Sequence, residues 1–165
     1  MPEKETVERA ERDKREGKSP STQAGEFVRE EIHHIREGKH GARSTKQAIA
    51  IGLSKARRAG VKLQAPKKGK TSAKTRRSAE LALKRARSRR KPSATRSRAI
   101  HAALRREGHS AASRSSLARQ ARSAARKRGA RARSASAEKA ARTKGPSIRA
   151  ITARKAANTR ARRKR

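Results

Sequence analysis

Ten of the thirteen acidic residues fall within residues 1–37, where eight basic residues leave a net charge of −2, so the other 128 residues carry +39. Like charges at that density repel one another and oppose compaction unless a polyanion neutralises them. Little in the sequence offsets the repulsion by burial. Leu, Ile, Val and Phe supply 17 residues, about a tenth of the chain, whereas disorder becomes the better expectation below roughly one-fifth. The 33 alanines favour helix but bury little apolar area once the helix exists. The expected fold class is all-α: a small two-helix hairpin followed by a largely disordered, locally helical basic tail.

Several classes of protein drop out. Cys, Trp and Tyr are absent, which excludes disulfides, a Cys-ligated zinc site and a Tyr or Trp platform for stacking bases. The longest apolar run, Ala48 to Ile51, is far below the roughly 18 residues needed to cross a bilayer. The first residues, Met-Pro-Glu-Lys-Glu-Thr-Val-Glu-Arg, are too acidic for an Arg-rich transit peptide. A cytoplasmic chain with no membrane partner is expected.

Residues 1–18 hold one large apolar side chain, Val7, and read as a charged arm. From Ser19 the pattern changes. Ser19 suits an N-cap and Pro20 the first helical turn, and Ala24, Phe27, Val28, Ile32 and Ile35 follow on one stripe up to Gly38. A second helix opens with Ser44-Thr45-Lys46-Gln47, a capping-box pattern, and carries Ala48, Ile49, Gly52, Leu53, Ala56 and Ala59 before Gly60. Residues 19–60 therefore predict a helical hairpin. At ~40 residues it sits at the lower size limit for an independent domain, so homodimerisation through residues 19–60, or ordering on a partner, is expected.

Residues 61–70, with Pro66 and Gly69, read as a linker. The tail, residues 71–165, repeats a loose unit in which Ser or Thr opens an Arg/Ala/Ser stretch and Gly or Pro closes it, near Pro92, Gly108, Gly129 and Gly145-Pro146. Ala79, Ala82, Leu83 and Ala86 recur at helical spacing, as do Ala99, Ile100, Ala103 and Leu104, and more weakly Leu117, Ala118, Ala121 and Ala125. Each stretch is near the length at which isolated helices form only in part. Helix gain on binding a polyanion is the expectation.

The chemistry most strongly encoded is phosphate binding. The candidate contacts are Arg57 and Arg58; Lys67, Lys68 and Lys70; Arg76 and Arg77; Arg87, Arg89, Arg90 and Lys91; Arg126, Lys127 and Arg128; and Arg162, Arg163, Lys164 and Arg165. Duplex DNA carries one charge per ~1.7 Å, so complete pairing of the +39 of residues 38–165 would match ~65 Å, or roughly 20 base pairs. Arg outnumbers Lys 32 to 18, which favours forked phosphate contacts and insertion into narrow minor grooves.

Other motifs are weaker. Ala48-x-x-x-Gly52-Leu53-Ser54 echoes a helix-turn-helix turn, but Arg57 and Arg58 stand where apolar residues belong, so Gly52 reads better as a close-packing residue within one helix. Gly69-Lys70-Thr71 resembles the end of a phosphate-binding loop, yet Gln64 stands where that motif needs glycine. His33, His34, Glu37 and His40 have the spacing of a weak metal site and read more simply as exposed polar residues. Glu30, Glu31 and Glu37 would need a water-excluding pocket to act as paired carboxylates, and no catalytic residue, metal or cofactor is expected. His101 and His109 stand without acidic or nucleophilic neighbours.

The stretch from Ser19-Pro-Ser-Thr-Gln-Ala-Gly-Glu-Phe-Val-Arg-Glu-Glu-Ile, continued by Arg36-Glu-Gly-Lys-His-Gly-Ala-Arg-Ser-Thr-Lys-Gln-Ala-Ile to Gly60, resembles an uncharacterised bacterial family of small basic proteins whose members are often labelled DNA-binding. The resemblance covers residues 1 to about 70. The Arg/Ala/Ser tail is similar in composition to those of linker histones and bacterial histone-like proteins, without the Ala-Lys-Pro repeats of the former. It implies a nucleoid-associated setting and transfers no catalytic residue.

Sequence-nonspecific binding of duplex DNA is thus the leading functional expectation. An RNA-binding or ribosome-associated role is the first alternative, because Arg-rich segments also fold on RNA. A cationic membrane-active role is the second, weakened by the lack of an apolar face of Trp, Phe or Leu.

Overall fold

The computed structural model describes residues 2–86 and 93–163, all of them helix, turn or irregular backbone with no strand. In order come α1 (Lys4–Arg15), α2 (Pro20–Arg36), α3 (Thr45–Arg58), α4 (Ala73–Ala86), α5 (Ala94–Arg105), a short 3₁₀ turn (Ser110–Ala112) and α6 (Arg114–Arg163). The chain divides into two units, residues 1–120 and 121–165.

Helices α2 and α3 begin and end where local chemistry dictates. Ser19 and Pro20 open α2. At its end Gly38 turns to φ 75°, and the N–H groups of Gly38 and Lys39 return to the carbonyls of Ile35 and His34, satisfying the last turn as a Schellman motif does. At the start of α3 the Ser44 hydroxyl accepts from the Gln47 N–H at 3.2 Å. The Gln47 side chain closes on the Arg43 N–H at 2.9 Å, one residue earlier than a standard capping box.

Two small cores cover the α2–α3 hairpin. Ala10, Ala24, Phe27, Ala56 and Val61 form one, with Val7, Leu53 and Leu63 against it. Ile32, Ile35, Ala42, Ala48, Ala111 and Ala112 form the other, with Val28 and Leu117. The all-α expectation holds, but a two-helix hairpin with a disordered tail is not what forms. Residues 1–18, expected as a solvated arm, supply α1, which buries Thr6, Ala10 and Asp13. The Arg9 guanidinium pairs with Glu26 of α2 at 2.9 Å. Past the linker, α4 rests on α3 and buries Ala79 and Ala82. The end of α5 and the segment after it also return to the hairpin.

That return is made largely by backbone. Gly41 N–H donates to Leu104 O and Ala42 N–H to Gly108 O. The Thr45 hydroxyl donates to Ala111 O at 2.7 Å, and Arg36 Nε donates to Ala112 O at 2.9 Å. The apolar faces that the isolated hairpin would offer to a second copy are covered by the chain's own α1 and 3₁₀ turn. Alanine suffices as core material here because small side chains and glycine let the backbones approach closely.

Gly52 shows how close. It lies inside the continuous helix α3, and a Cβ there would meet Val28 Cα of α2 at 2.7 Å and Phe27 O at 3.0 Å. Because the obstacle is backbone, Gly52→Ala is expected to push α2 and α3 apart and destabilise the fold by about 1–3 kcal/mol. Gly25→Ala, where a Cβ would meet nothing within 4 Å, is expected to stabilise by roughly 0.5–1 kcal/mol through helix propensity. Urea unfolding of the two variants checks the opposite signs.

In residues 121–163 the helix α6 breaks at Gly129 (φ 75°, ψ 167°) and at Gly145 (φ 68°, ψ 171°), the latter followed by Pro146. Two of the expected tail boundaries therefore stand, and Gly108 lies between α5 and the 3₁₀ turn. The boundary at Pro92 lies outside the described residues. The described tail is helical rather than disordered: Gly and Pro interrupt it only at isolated points, and Ala and Arg are both good helix formers.

Candidate functional site

The phosphate-binding candidates differ in how they are presented. Arg57 is 7% exposed, and its Nε and Nη2 donate to the carbonyls of Leu63 and Gln64 at 3.2 and 3.4 Å. Burial lowers its pKa from the ordinary guanidinium value, although so strong a base stays charged. Arg57 thus anchors the linker to α3 rather than facing a ligand, which removes it from the phosphate-facing set. Its neighbour Arg58 is exposed.

Lys67, Lys68 and Lys70 are exposed on the irregular segment between α3 and α4. On α4, Arg77 is exposed, while Arg76 pairs with Glu80 at 3.2 Å. Arg126, Lys127 and Arg128 stand exposed in the turn of α6 that ends at Gly129, and Arg162 is exposed near the end of the same element, with Arg163 as its last residue. Arg87, Arg89, Arg90, Lys91, Lys164 and Arg165 lie outside the described residues.

In residues 121–165 there are 17 basic residues and one acid, Glu138. No residue described there is buried. The arrangement is electrostatically unfavourable by itself: Arg122 and Arg126 are four residues apart on one helix, a spacing at which like charges cost roughly 0.2–0.5 kcal/mol per pair. Anionic groups bound along such a helix remove that repulsion.

A second constellation lies within residues 1–120, where sequence reasoning expected only solvated polar residues. Glu30 and Glu31 of α2 are 3% and 0% exposed. The Lys55 ammonium of α3 reaches both, 3.2 Å from Glu30 Oε1 and 2.7 Å from Glu31 Oε2. Glu30 Oε2 also accepts the Glu3 N–H at 3.2 Å. Neither oxygen of Glu31 accepts a hydrogen bond, so its contact with Lys55 is an off-axis ion pair.

Around this pair, His34 Nε2 lies 2.8 Å from Glu3 Oε1, and Lys39 Nζ lies 3.2 Å from the same oxygen. The hydrogen bond from His34, then that from Lys39, holds the exposed Glu3 carboxyl below its ordinary pKa. The stabilising contribution of this group is present at neutral pH and is lost as the pH falls through the lowered value. His40 Nε2 lies 3.3 Å from Glu31 Oε1. Of the four residues whose spacing hinted at a metal site, His34 and His40 are brought together, whereas His33 and Glu37 are exposed. The missing member is Glu31. A signal for it existed: Phe27, Glu31 and Ile35 recur every fourth residue, which places the carboxylate on the buried stripe.

The model of a family of unknown function (DUF6496) matches residues 4–69. Those residues hold α1, α2, α3 and the buried charge cluster, and exclude α6. No curated protein and no solved structure matches the chain significantly. Among the described residues no helix is long and apolar enough to cross a membrane.

Proposed function

We propose that the chain binds duplex nucleic acid without sequence selectivity, with DNA as its principal partner, in the manner of a histone-like, nucleoid-associated protein. The observation that carries this reading is the second unit: a helical polycation with 17 basic residues against one acid and no buried residue among those described. A helix with no fully buried residue gains little from packing, so neutralising its charge is the remaining large favourable term. Arg58, Lys67, Lys68, Lys70 and Arg77 add exposed cations in the first unit. Their role and that of Arg126, Lys127, Arg128 and Arg162 is to position the chain on phosphates, with Ser and Thr hydroxyls as neutral donors between them.

Two observations favour duplexes over single strands and membranes. Phe27 is the only Phe, Trp or Tyr in the chain, and at 1% exposed it belongs to the core, so none of these rings is left to stack on unpaired bases. The large apolar residues of the second unit are Ile148 and Ile151 alone, far short of the apolar face that an interfacial helix inserts into lipid.

Replacing Arg126, Lys127 and Arg128 together by Gln is expected to weaken binding equally on duplexes of unrelated sequence. The log–log salt slope should fall by about one per phosphate contact removed. Fluorescence anisotropy on nuclease-treated full-length protein measures both, and competition by structured RNA separates a duplex-DNA role from an RNA role. Loss of affinity on one sequence alone, or outright preference for the RNA, would contradict the proposal.

A further inference from the structure

Two histidines and a buried glutamate converge where α2 meets its connection to α3. Glu31, His34 and His40 each place one ligand-capable atom within 4.8 Å of the others. One ring nitrogen of each imidazole is engaged by an oxygen acceptor. The Glu3 carboxylate can only accept, so at 2.8 Å His34 Nε2 donates to it and Nδ1 is the ring nitrogen left for a ligand. The Gly41 carbonyl likewise can only accept, so at 3.0 Å His40 Nδ1 donates to it, and Nε2 lies 3.3 Å from Glu31 Oε1.

The Glu31 carboxylate is 0% exposed and has no hydrogen bond at either oxygen. Lys55 compensates Glu31 Oε2, which leaves Oε1 to be satisfied. A cation held between Oε1 and His40 Nε2 satisfies both atoms.

We propose that Glu31, His34 and His40 form a binding site for a divalent transition cation, with zinc the best fit. Two imidazoles and one carboxylate are a ligand set suited to zinc, with a water in the fourth position, and imidazole disfavours magnesium and calcium. Glu3 on His34 and the Gly41 carbonyl on His40 are the outer partners that orient metal-ligating histidines. Two of the three ligands, Glu31 and His34, fall within the near-neutral first 37 residues rather than on the cationic tail. Its effect is structural: a metal held by residues 31 and 34 of α2 and residue 40 of the connection fastens the loop on which the returning segment after α5 docks. The proposal is independent of nucleic-acid binding.

The test is a titration of chelator-dialysed, nuclease-treated full-length protein with zinc alone, followed by NMR of the histidine ring nitrogens. One zinc per chain is expected, shifting the rings of His34 and His40 but not those of His33, His101 and His109, and raising the thermal unfolding midpoint. His40→Gln is expected to abolish stoichiometric binding and His33→Gln to leave it intact. Glu3→Gln should weaken it by ~10–100-fold. Should His40→Gln fail to fold, the wild-type ring shifts still decide. Equal shifts of all five histidines would show binding without a site, and a His40 ring that is doubly protonated at neutral pH and indifferent to zinc would show that a proton rather than a metal bridges the pair; either result would overturn the proposal.

Discussion

Raising the salt concentration from 50 to 200 mM is expected to weaken binding of the full-length chain to duplex DNA by about 10³–10⁵-fold, the loss that accompanies six to ten phosphate contacts. That number of contacts is modest for a chain with 17 basic residues in its last 45. The effect originates in counterions: each neutralised phosphate releases about 0.9 of a bound cation, and added salt opposes that release. Base sequence should matter little. Anisotropy titrations across salt on three unrelated duplexes provide the slope, and a loss below tenfold, or slopes that differ between duplexes, would argue for a different kind of contact.

Lys55→Met is expected to destabilise the first unit by about 3–5 kcal/mol, because it strands the buried carboxylates of Glu30 and Glu31 without their common cation. Against a total of roughly 5–15 kcal/mol for an ordinary domain, such a loss approaches global unfolding. The cost lies in breaking the pair rather than in lacking it. Combining Lys55→Met with Glu30→Gln and Glu31→Gln should therefore recover much of the stability, as neutral replacements of buried ion pairs often do. Denaturant unfolding of the single and triple variants makes the comparison, and a Lys55→Met variant within about 0.5 kcal/mol of the parent would mean that the cluster is not a stabilising unit.

The parts of the fold legible in the sequence are those marked by large side chains and by punctuation. Ser19-Pro20, Gly38, Ser44 and Gly60 bracket α2 and α3, and the stripe of Ala24, Phe27, Ile32 and Ile35 is buried. Gly129 and Gly145 interrupt α6 through positive φ, as glycines at unit ends suggest. The return of residues 104–112 onto the hairpin was not legible, because it is made by carbonyls, N–H groups and two alanines, none of which leaves a hydrophobic pattern. Helix α1 escaped for a related reason: its buried residues are Thr6, Ala10 and Asp13, and Asp13 is held by Lys18 at 2.8 Å rather than by apolar contact.

For the candidate interface the sequence located the cations but not their surroundings. Arg57 and Arg58 look alike as neighbours, yet α3 turns one onto the linker carbonyls and the other to solvent. The buried cluster was not legible because the partner of Glu30 and Glu31 is 24 or 25 residues away on another helix. Adjacent acidic residues suggest a solvated face until such a partner is seen.

On the proposed reading the exposed cations, chiefly those of residues 121–163, meet the nucleic acid, and the packed interior of the first unit does not. Residue-resolved NMR of the full-length chain with a duplex of about 20 base pairs, in low salt, tests it most directly. The arginine side-chain and backbone signals of residues 121–163, with those of Arg58 and Arg77, should shift together and revert on adding salt, while Phe27, Arg57 and Lys55 stay unchanged. Shifts confined to the α2–α3 hairpin, or no shifts at all, would contradict the account.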